Sequence, residues 1–319
     1  MLEDEGRGAR RASEDPTTSG RSDSGGIGRS LTLYIRAIRV HQWIKNSLVF
    51  VPLLLAHQIT DLFALLDATI GFISFSLCAS SAYLLNDLLD LEADRQHPKK
   101  RNRPLAAGEI SRRATVALIP VLLVGSFALA ALLPLRFLAT LSLYLLLTIS
   151  YSWILKRAVL VDVLVLAGLY TLRIIAGGAA TSTPVSFWLL AFSMFLFLSL
   201  ALVKRFGELL NLREVGGDRA VGRGYQAVDL ETLTQFGTAS AYLSVLVLAL
   251  YVESDAVKEL YARPEVIWLL CPMVLYLTSR IWLLARRGEI DEDPLLFLLS
   301  DSRSVGIALL GLFLLWVAA

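Results

Sequence analysis

Residues 70–94 read IGFISFSLCASSAYLLNDLLDLEAD, an apolar run that ends in a cluster of carboxylates and an amide, side chains of metal-ligating type. Ile70–Leu85 carries no charge and approaches the roughly 18–20 residues needed to cross a bilayer as a helix. Asn86, Asp87, Asp90 and Asp94 follow at once, spaced by one, three and four residues. On a helix, Asp87, Asp90 and Asp94 line one face over two turns, and Asn86 borders that face. Like charges so placed repel unless a cation sits between them. Acids at the end of an apolar span are costly to keep there. The stretch therefore predicts a membrane helix with a cation-binding end.

The rest of the chain extends that reading. Comparable apolar runs lie at Ala114–Leu133, Phe137–Leu155, Phe187–Val203 and Ser304–Ala319. Of 319 residues, 55% are hydrophobic and 18% charged, and the mean hydropathy is +0.61. A soluble domain carries about 25% charge, so a soluble enzyme is excluded. A net charge of +2 leaves no basic field for nucleic acid. Cys78 and Cys271 both sit inside apolar runs and read as packing residues, not as a disulfide or zinc pair.

About nine spans are expected, near 42–57, 68–91, 114–132, 137–155, 159–177, 187–207, 230–252, 264–285 and 303–319. Short connections make them one all-α integral membrane bundle over 31–319. Residues 1–30 are rich in Gly, Ser and charge and read as a disordered cytoplasmic tail. The loops after the even-numbered spans hold most of the bases, including Arg95–Arg113, Lys156–Arg157, Arg205–Arg223 and Arg286–Arg287. By the positive-inside rule these loops and the N-terminus face the cytoplasm, and the C-terminus lies outside. The expected location is the cell membrane, multi-pass, with the site at the cytoplasmic face.

Several polar groups converge on that face. Asp87, Asp90 and Asp94 offer the hard oxygen ligands that suit Mg²⁺, which joins carboxylates to substrate phosphates. Lys99, Lys100, Arg101 and Arg103 follow directly and serve either as phosphate contacts or as topology signals. A second cluster, after the sixth span, supplies Glu214 and Asp218 as further candidate ligands, with Lys204, Glu208, Arg219 and Tyr225 as candidate substrate contacts. Lys204 and Glu208, four residues apart, also read as a simple helix pair. Glycines in this cluster allow its loop to approach closely. Lys45 and Asn46 open the first span, and Tyr151, Lys156 and Arg157 close the fourth. Trp43, Tyr151 and Trp153 also fit a plain interfacial belt. Asp162 lies one turn into the fifth span and needs a partner or a cavity, with Arg173 eleven residues on. Asp87, Asp90 and Asp162 are the candidate catalytic residues. A GxSxG elbow, a P-loop and a HExxH motif are all missing, so the chemistry rests on metal, phosphate and position.

Asn86-Asp87-x-x-Asp90-x-x-x-Asp94 after the second span resembles the first aspartate-rich motif of the UbiA prenyltransferase superfamily. Glu214-x-x-x-Asp218-Arg219-x-x-Gly222 resembles its second, with Glu where Asp is more usual. Gln42-Trp43-Ile44-Lys45-Asn46, Asp94-Arg95-Gln96-His97-Pro98-Lys99-Lys100-Arg101 and Leu155-Lys156 are most similar to the bacterial polyprenyl-phosphate (decaprenyl-phosphate) phosphoribosyltransferase branch. The resemblance implies Mg²⁺-dependent transfer of a phosphoribosyl group from phosphoribosyl diphosphate to a polyprenyl phosphate, feeding cell-envelope polysaccharide synthesis. Other members move a prenyl group from its diphosphate to an aromatic ring. A transporter or lipid-binding scaffold is the rival from another class, but it would not need two acidic clusters on one face. The implied partners are the bilayer, a polyprenyl lipid and a phosphorylated donor. A homo-oligomer is compatible with this reading.

Overall fold

The computed structural model describes residues 32–96, 99–214, 216–217, 223–290 and 293–319. The expected tail at 1–30 lies outside them, as do Asp218, Arg219 and Gly222 of the second motif and His97 and Pro98 of the basic loop. The described residues form helices and connecting loops, without a strand. Residues 32–37 form helix α1, followed by a 3-10 helix, Val40–Phe50. Then come α2 (Val51–Leu55), α3 (Leu62–Leu89), α4 (Leu91–Gln96), α5 (Arg112–Ala130), α6 (Leu135–Trp153), α7 (Val161–Thr181) and α8 (Phe187–Glu214). The chain continues with α9 (Leu230–Val252), α10 (Asp255–Leu260), α11 (Pro264–Ile267), α12 (Leu270–Arg286), α13 (Pro294–Ser300) and α14 (Ser302–Ala318).

Seven helices among the described residues are long and apolar enough to cross a membrane, or eight if the bent pair α13–α14 counts as one span. The expected span at 42–57 takes a different form, a 3-10 helix that passes into the short α2. Pro52 sits in the first turn of α2, where its missing N–H costs nothing and the preceding ladder stops. The expected last span is α14, set at 79° to α13. Polar caps fix several starts. Asp61 accepts from the Phe63 and Ala64 amides at the head of α3, and Ser111 accepts from Ala114 at the head of α5. Asp301 accepts from the Ser304 amide and pairs in two places with Arg280 of α12, at 2.7 and 3.0 Å, which fastens the α13–α14 bend.

Helix α7 sits at the centre. One face joins α3 and α6 in a core that includes Phe75, Phe137, Leu141, Leu169 and Ala176. The other joins α8, α9 and α12 around Ile174, Phe197, Leu202, Leu233 and Trp282. Gly177 brings α7 hard against the 3-10 helix. A Cβ there would stand 2.0 Å from the Val49 carbonyl oxygen, so only glycine fits. Close packing between helices is what holds a bundle in lipid, where apolar burial alone gives little drive. Because α7 touches both halves, its polar side chains meet partners from every side.

Candidate functional site

The acidic motif runs from the end of α3, with Asn86 and Asp87, across a break at Asp90 into α4, with Asp94. The Asp90 amide donates to Asn86 at 2.9 Å and the Asp94 amide to Asp90 at 2.8 Å. These bonds bridge the break at Asp90 between α3 and α4, and the three acids divide between two sets of partners. Asp87 and Asp94 are nearly buried and share one cation, since Arg103 donates to Asp87 at 3.1 Å and to Asp94 at 2.5 Å. Arg39 closes the other side of Asp87 at 2.5 Å. Its own φ is +55°, a left-handed conformation uncommon for a non-glycine residue, and its guanidinium also lies over the Tyr83 ring. Asp90 faces a different neighbour. Lys156 reaches it at 3.0 and 3.2 Å, and the Asn86 amide donates to it at 3.1 Å. A cavity of about 370 Å³ opens beside Asp87, lined by Arg36, Arg39, His41, Arg103 and Pro104.

These donors are carboxylate and amide oxygens, which fits Mg²⁺ by type. Among the described residues, however, no three metal-ligating side chains draw together without a base between them. Arg39, Arg103 and Lys156 hold the acids as counter-ions. Glu214 lies exposed at the end of α8, and Asp218 and Arg219 lie outside the described residues. Lys99, Lys100, Arg101 and Arg157 are exposed on the loops beside the aspartates.

The second cluster is a buried network. Asp162 and Arg205 meet at 2.7 Å, and both side chains are 0% exposed. Tyr225 donates to Asp162 at 2.6 Å and accepts from the Leu160 amide at 2.9 Å. Arg205 also pairs with Glu208, which Arg223 approaches at 3.2 Å. Arg223 in turn donates to Tyr151 at 3.1 Å. A Cβ on Gly224 would come within 2.8 Å of the Arg157 carbonyl oxygen, so glycine does let this loop close on the start of α7. Asp162 was a catalytic candidate on sequence grounds. Sealed from solvent and held by two partners, it is placed to position the loop at 223–225. The expected Lys204–Glu208 pair does not form, because Arg205 takes Glu208 and Lys204 turns the other way.

Lys204 instead reaches Asp293 at 3.2 Å, and Lys45 meets the same carboxylate at 2.8 Å. Burial alone would raise the Asp293 carboxyl. The ammonium groups of Lys204 and Lys45 outweigh that and hold it well below the usual carboxylate range. Tyr170 donates to Asp293 at 3.3 Å, and Asn46 turns inward to Ser76 and Arg173. Arg39, Arg205, Asp293 and Tyr170 are the residues that sequence reasoning left out of the site. Only Asp293 carried a signal, as part of the acidic run Asp291–Asp293 beside a basic loop. Trp43 donates inward to Ser80 at 2.9 Å, whereas Trp153 is exposed, as an interfacial belt requires.

A family model described as the UbiA prenyltransferase family matches residues 47–301. An uncharacterized protein, y4nM, of Sinorhizobium fredii is 40% identical over 272 residues, 85% of this chain and 53% of that protein. The chain thus spans about half the length of this relative. The nodulation protein NoeC of Azorhizobium caulinodans is 36% identical, over 88% of this chain and 91% of its own. A decaprenyl-phosphate phosphoribosyltransferase of Mycobacterium tuberculosis is 35% identical, over 68% of this chain and 72% of its own. Among solved structures, a UbiA homolog from Archaeoglobus fulgidus bound to GPP and Mg²⁺ superposes with a TM-score of 0.68 at 18% identity, covering 90% of this chain and 99% of that one. That likeness is one of fold.

Proposed function

Since this chain belongs to the UbiA prenyltransferase family and is a multi-pass membrane transferase, we propose that it moves a phosphoribosyl group from phosphoribosyl diphosphate to a polyprenyl phosphate. The observation that carries the reading is the ring of bases around the acidic helix. Arg39, Arg103 and Lys156 touch the aspartates, and Lys99, Lys100, Arg101 and Arg157 stand on the loops beside them. A prenyl diphosphate carries one diphosphate group. A sugar phosphate donor carries a second phosphate apart from it, and so calls for more cations. The 35% identity to a decaprenyl-phosphate phosphoribosyltransferase supports the same donor.

In the proposed reaction an oxygen of the lipid phosphate attacks the anomeric carbon of the ribose. The bond from that carbon to the diphosphate oxygen breaks, and diphosphate leaves with the electron pair. Mg²⁺ held by Asp87, Asp90 and Asp94, with Glu214 and Asp218 from the second motif, would offset charge on the departing diphosphate. Lys156 and Arg103 exchange their aspartate partners for phosphate oxygens as the donor enters. Their new contacts grow stronger as charge develops on the leaving group, which is where binding lowers a barrier. Tyr151, Arg223 and Glu208 keep the loop at 223–225 closed over the same end of the bundle.

Product analysis tests this directly. Membranes holding the protein, given labelled phosphoribosyl diphosphate and polyprenyl phosphate, should yield a lipid heavier by one ribose phosphate. A prenylated aromatic product from prenyl diphosphate, with no lipid-linked sugar, would refute the donor. The proposed orientation has its own test. A reporter after Ala319 should read the outer face and one at Arg103 the cytoplasm, and the reverse pattern would remove the bases from the donor's side.

A further inference from the structure

One group of charges inside the bundle does not balance. Lys45 and Lys204 pair with a single carboxylate, Asp293, and Arg173 lies over the ring of Tyr170, whose hydroxyl donates to the same carboxylate. Arg173 is 5% exposed and makes no ion pair with any described carboxylate. It donates to Asn46 at 2.8 Å, to the Leu169 carbonyl at 2.5 Å and to the Tyr144 hydroxyl at 3.1 Å. Three aromatic rings, Phe75, Tyr144 and Tyr170, lie within 5.0–5.6 Å of its guanidinium carbon. These contacts soften the cost of burying the cation but supply no negative charge. The neighbouring network gives no relief, because Asp162 and Glu208 are already taken by Arg205 and Arg223. Among the described residues, these three bases and one carboxylate leave two positive charges in excess. Two negative charges are what a phosphate monoester carries near neutral pH.

We propose that Lys45, Lys204 and Arg173 form an interior binding site for a phosphate monoester, with the Asp293 carboxylate as its displaceable stand-in. The placement of Asp293 suits that role. It caps the seven-residue helix α13, which bends away from α14, so the carboxylate sits at the tip of a short arm rather than inside a long helix. Lys45 and Asp293 have side chains only 8% and 10% exposed, whereas Lys204 is 37% exposed and marks the open side. Tyr170 links the two depths of the site, since its hydroxyl donates to Asp293 and its ring lies over Lys45 and Arg173. Helix rise puts Arg173 about 16 Å along α7 from Asp162, so the site reaches into the bundle from the aspartate end. Two phosphate monoesters occur in the proposed reaction, the lipid acceptor's headgroup and the 5-phosphate of the ribose donor. The inference rests on that reaction only for this choice of ligand.

The test measures binding to the full chain in detergent with EDTA present, so that metal at the aspartates does not contribute. The probes are farnesyl phosphate, farnesol and ribose 5-phosphate, followed by native mass spectrometry. At least one phosphate should bind tenfold or more tightly than farnesol. A lead for farnesyl phosphate assigns the site to the acceptor, and a lead for ribose 5-phosphate assigns it to the donor. Arg173→Gln and Lys204→Met should each weaken phosphate binding at least tenfold. Arg173→Lys keeps the charge, and should retain more of the binding if the glutamine variant fails to fold. Asp293→Asn is the discriminating variant. Removing a competing carboxylate should tighten phosphate binding several-fold, whereas a purely structural aspartate would weaken it. Equal binding of farnesol and both phosphates, or weaker binding by Asp293→Asn, overturns the site. Phosphate binding that persists without phosphoribosyl transfer would sink the proposed reaction and leave this site standing.

Discussion

Asp90→Asn is expected to lower turnover by about 10²–10³-fold while leaving the bundle folded. Of the three acids on the helix end, Asp90 is the most open, with a side chain 34% exposed against 6% for Asp87 and 4% for Asp94. Its partner is a lysine, Lys156, itself 17% exposed, so breaking the pair strands no deeply buried charge. The pair is half-buried but open to solvent on the Asp90 side, so it contributes on the order of 1 kcal/mol to stability, near the upper end for exposed pairs. The lost carboxylate should instead be felt in the reaction, through a weaker hold on Mg²⁺ and a Lys156 no longer delivered to the leaving group. Rate and stability therefore separate at this residue. The measurement is single-turnover transfer at saturating Mg²⁺ alongside thermal unfolding in detergent. A near-normal rate, or an unfolding temperature that drops along with the rate, would remove Asp90 from the proposed chemistry.

The acidic motif was legible because its information is local. Asn86, Asp87, Asp90 and Asp94 lie within nine residues, close enough for helical period to bring them together. The break at Asp90 that splits them between Arg103 and Lys156 carries no such local signal. The apolar runs were legible for the same reason, being properties of single segments. The 3-10 form of Val40–Phe50 was not, nor was the close packing of its Val49 on Gly177 of a distant helix. Partners of the charged residues escaped sequence reading more generally. Asp162 announced that it needed a counter-ion, but nothing in spacing singles out Arg205, because the pair forms between two helices. Lys204 and Glu208 sit at a spacing that favours a local pair, but the neighbouring Arg205 and the distant Arg223 take Glu208, and Asp293 takes Lys204. Asp293 lies in an acidic stretch that reads as an exposed cytoplasmic loop, and only the fold turns it inward to Lys45.

Arg205→Met should be the most destabilising single change among the charged residues, by about 3–5 kcal/mol. The substitution removes a cation that is 0% exposed and leaves the Asp162 carboxylate, also 0% exposed, without its partner at 2.7 Å. Tyr225 still donates one hydrogen bond to it. Arg223 stands 3.8 Å away and is drawn towards Glu208 at 3.2 Å, so it does not replace the lost charge. An isolated carboxylate in that position must take up a proton or pull water into the bundle, and both routes cost free energy. Removing both charges is a different case. Asp162→Asn combined with Arg205→Met leaves a neutral amide that can still accept from Tyr225, and neutral replacement of a buried pair is often close to harmless. The double variant should therefore unfold at a higher temperature than Arg205→Met alone. Full additivity of the two single changes would mean that the residues are not coupled, and the network would lose its centre. Turnover adds an independent check. If Asp162 positions the loop at 223–225 and takes no part in chemistry, the double variant should show a raised KM with kcat largely kept. A collapse of kcat in a well-folded double variant would return Asp162 to the catalytic set.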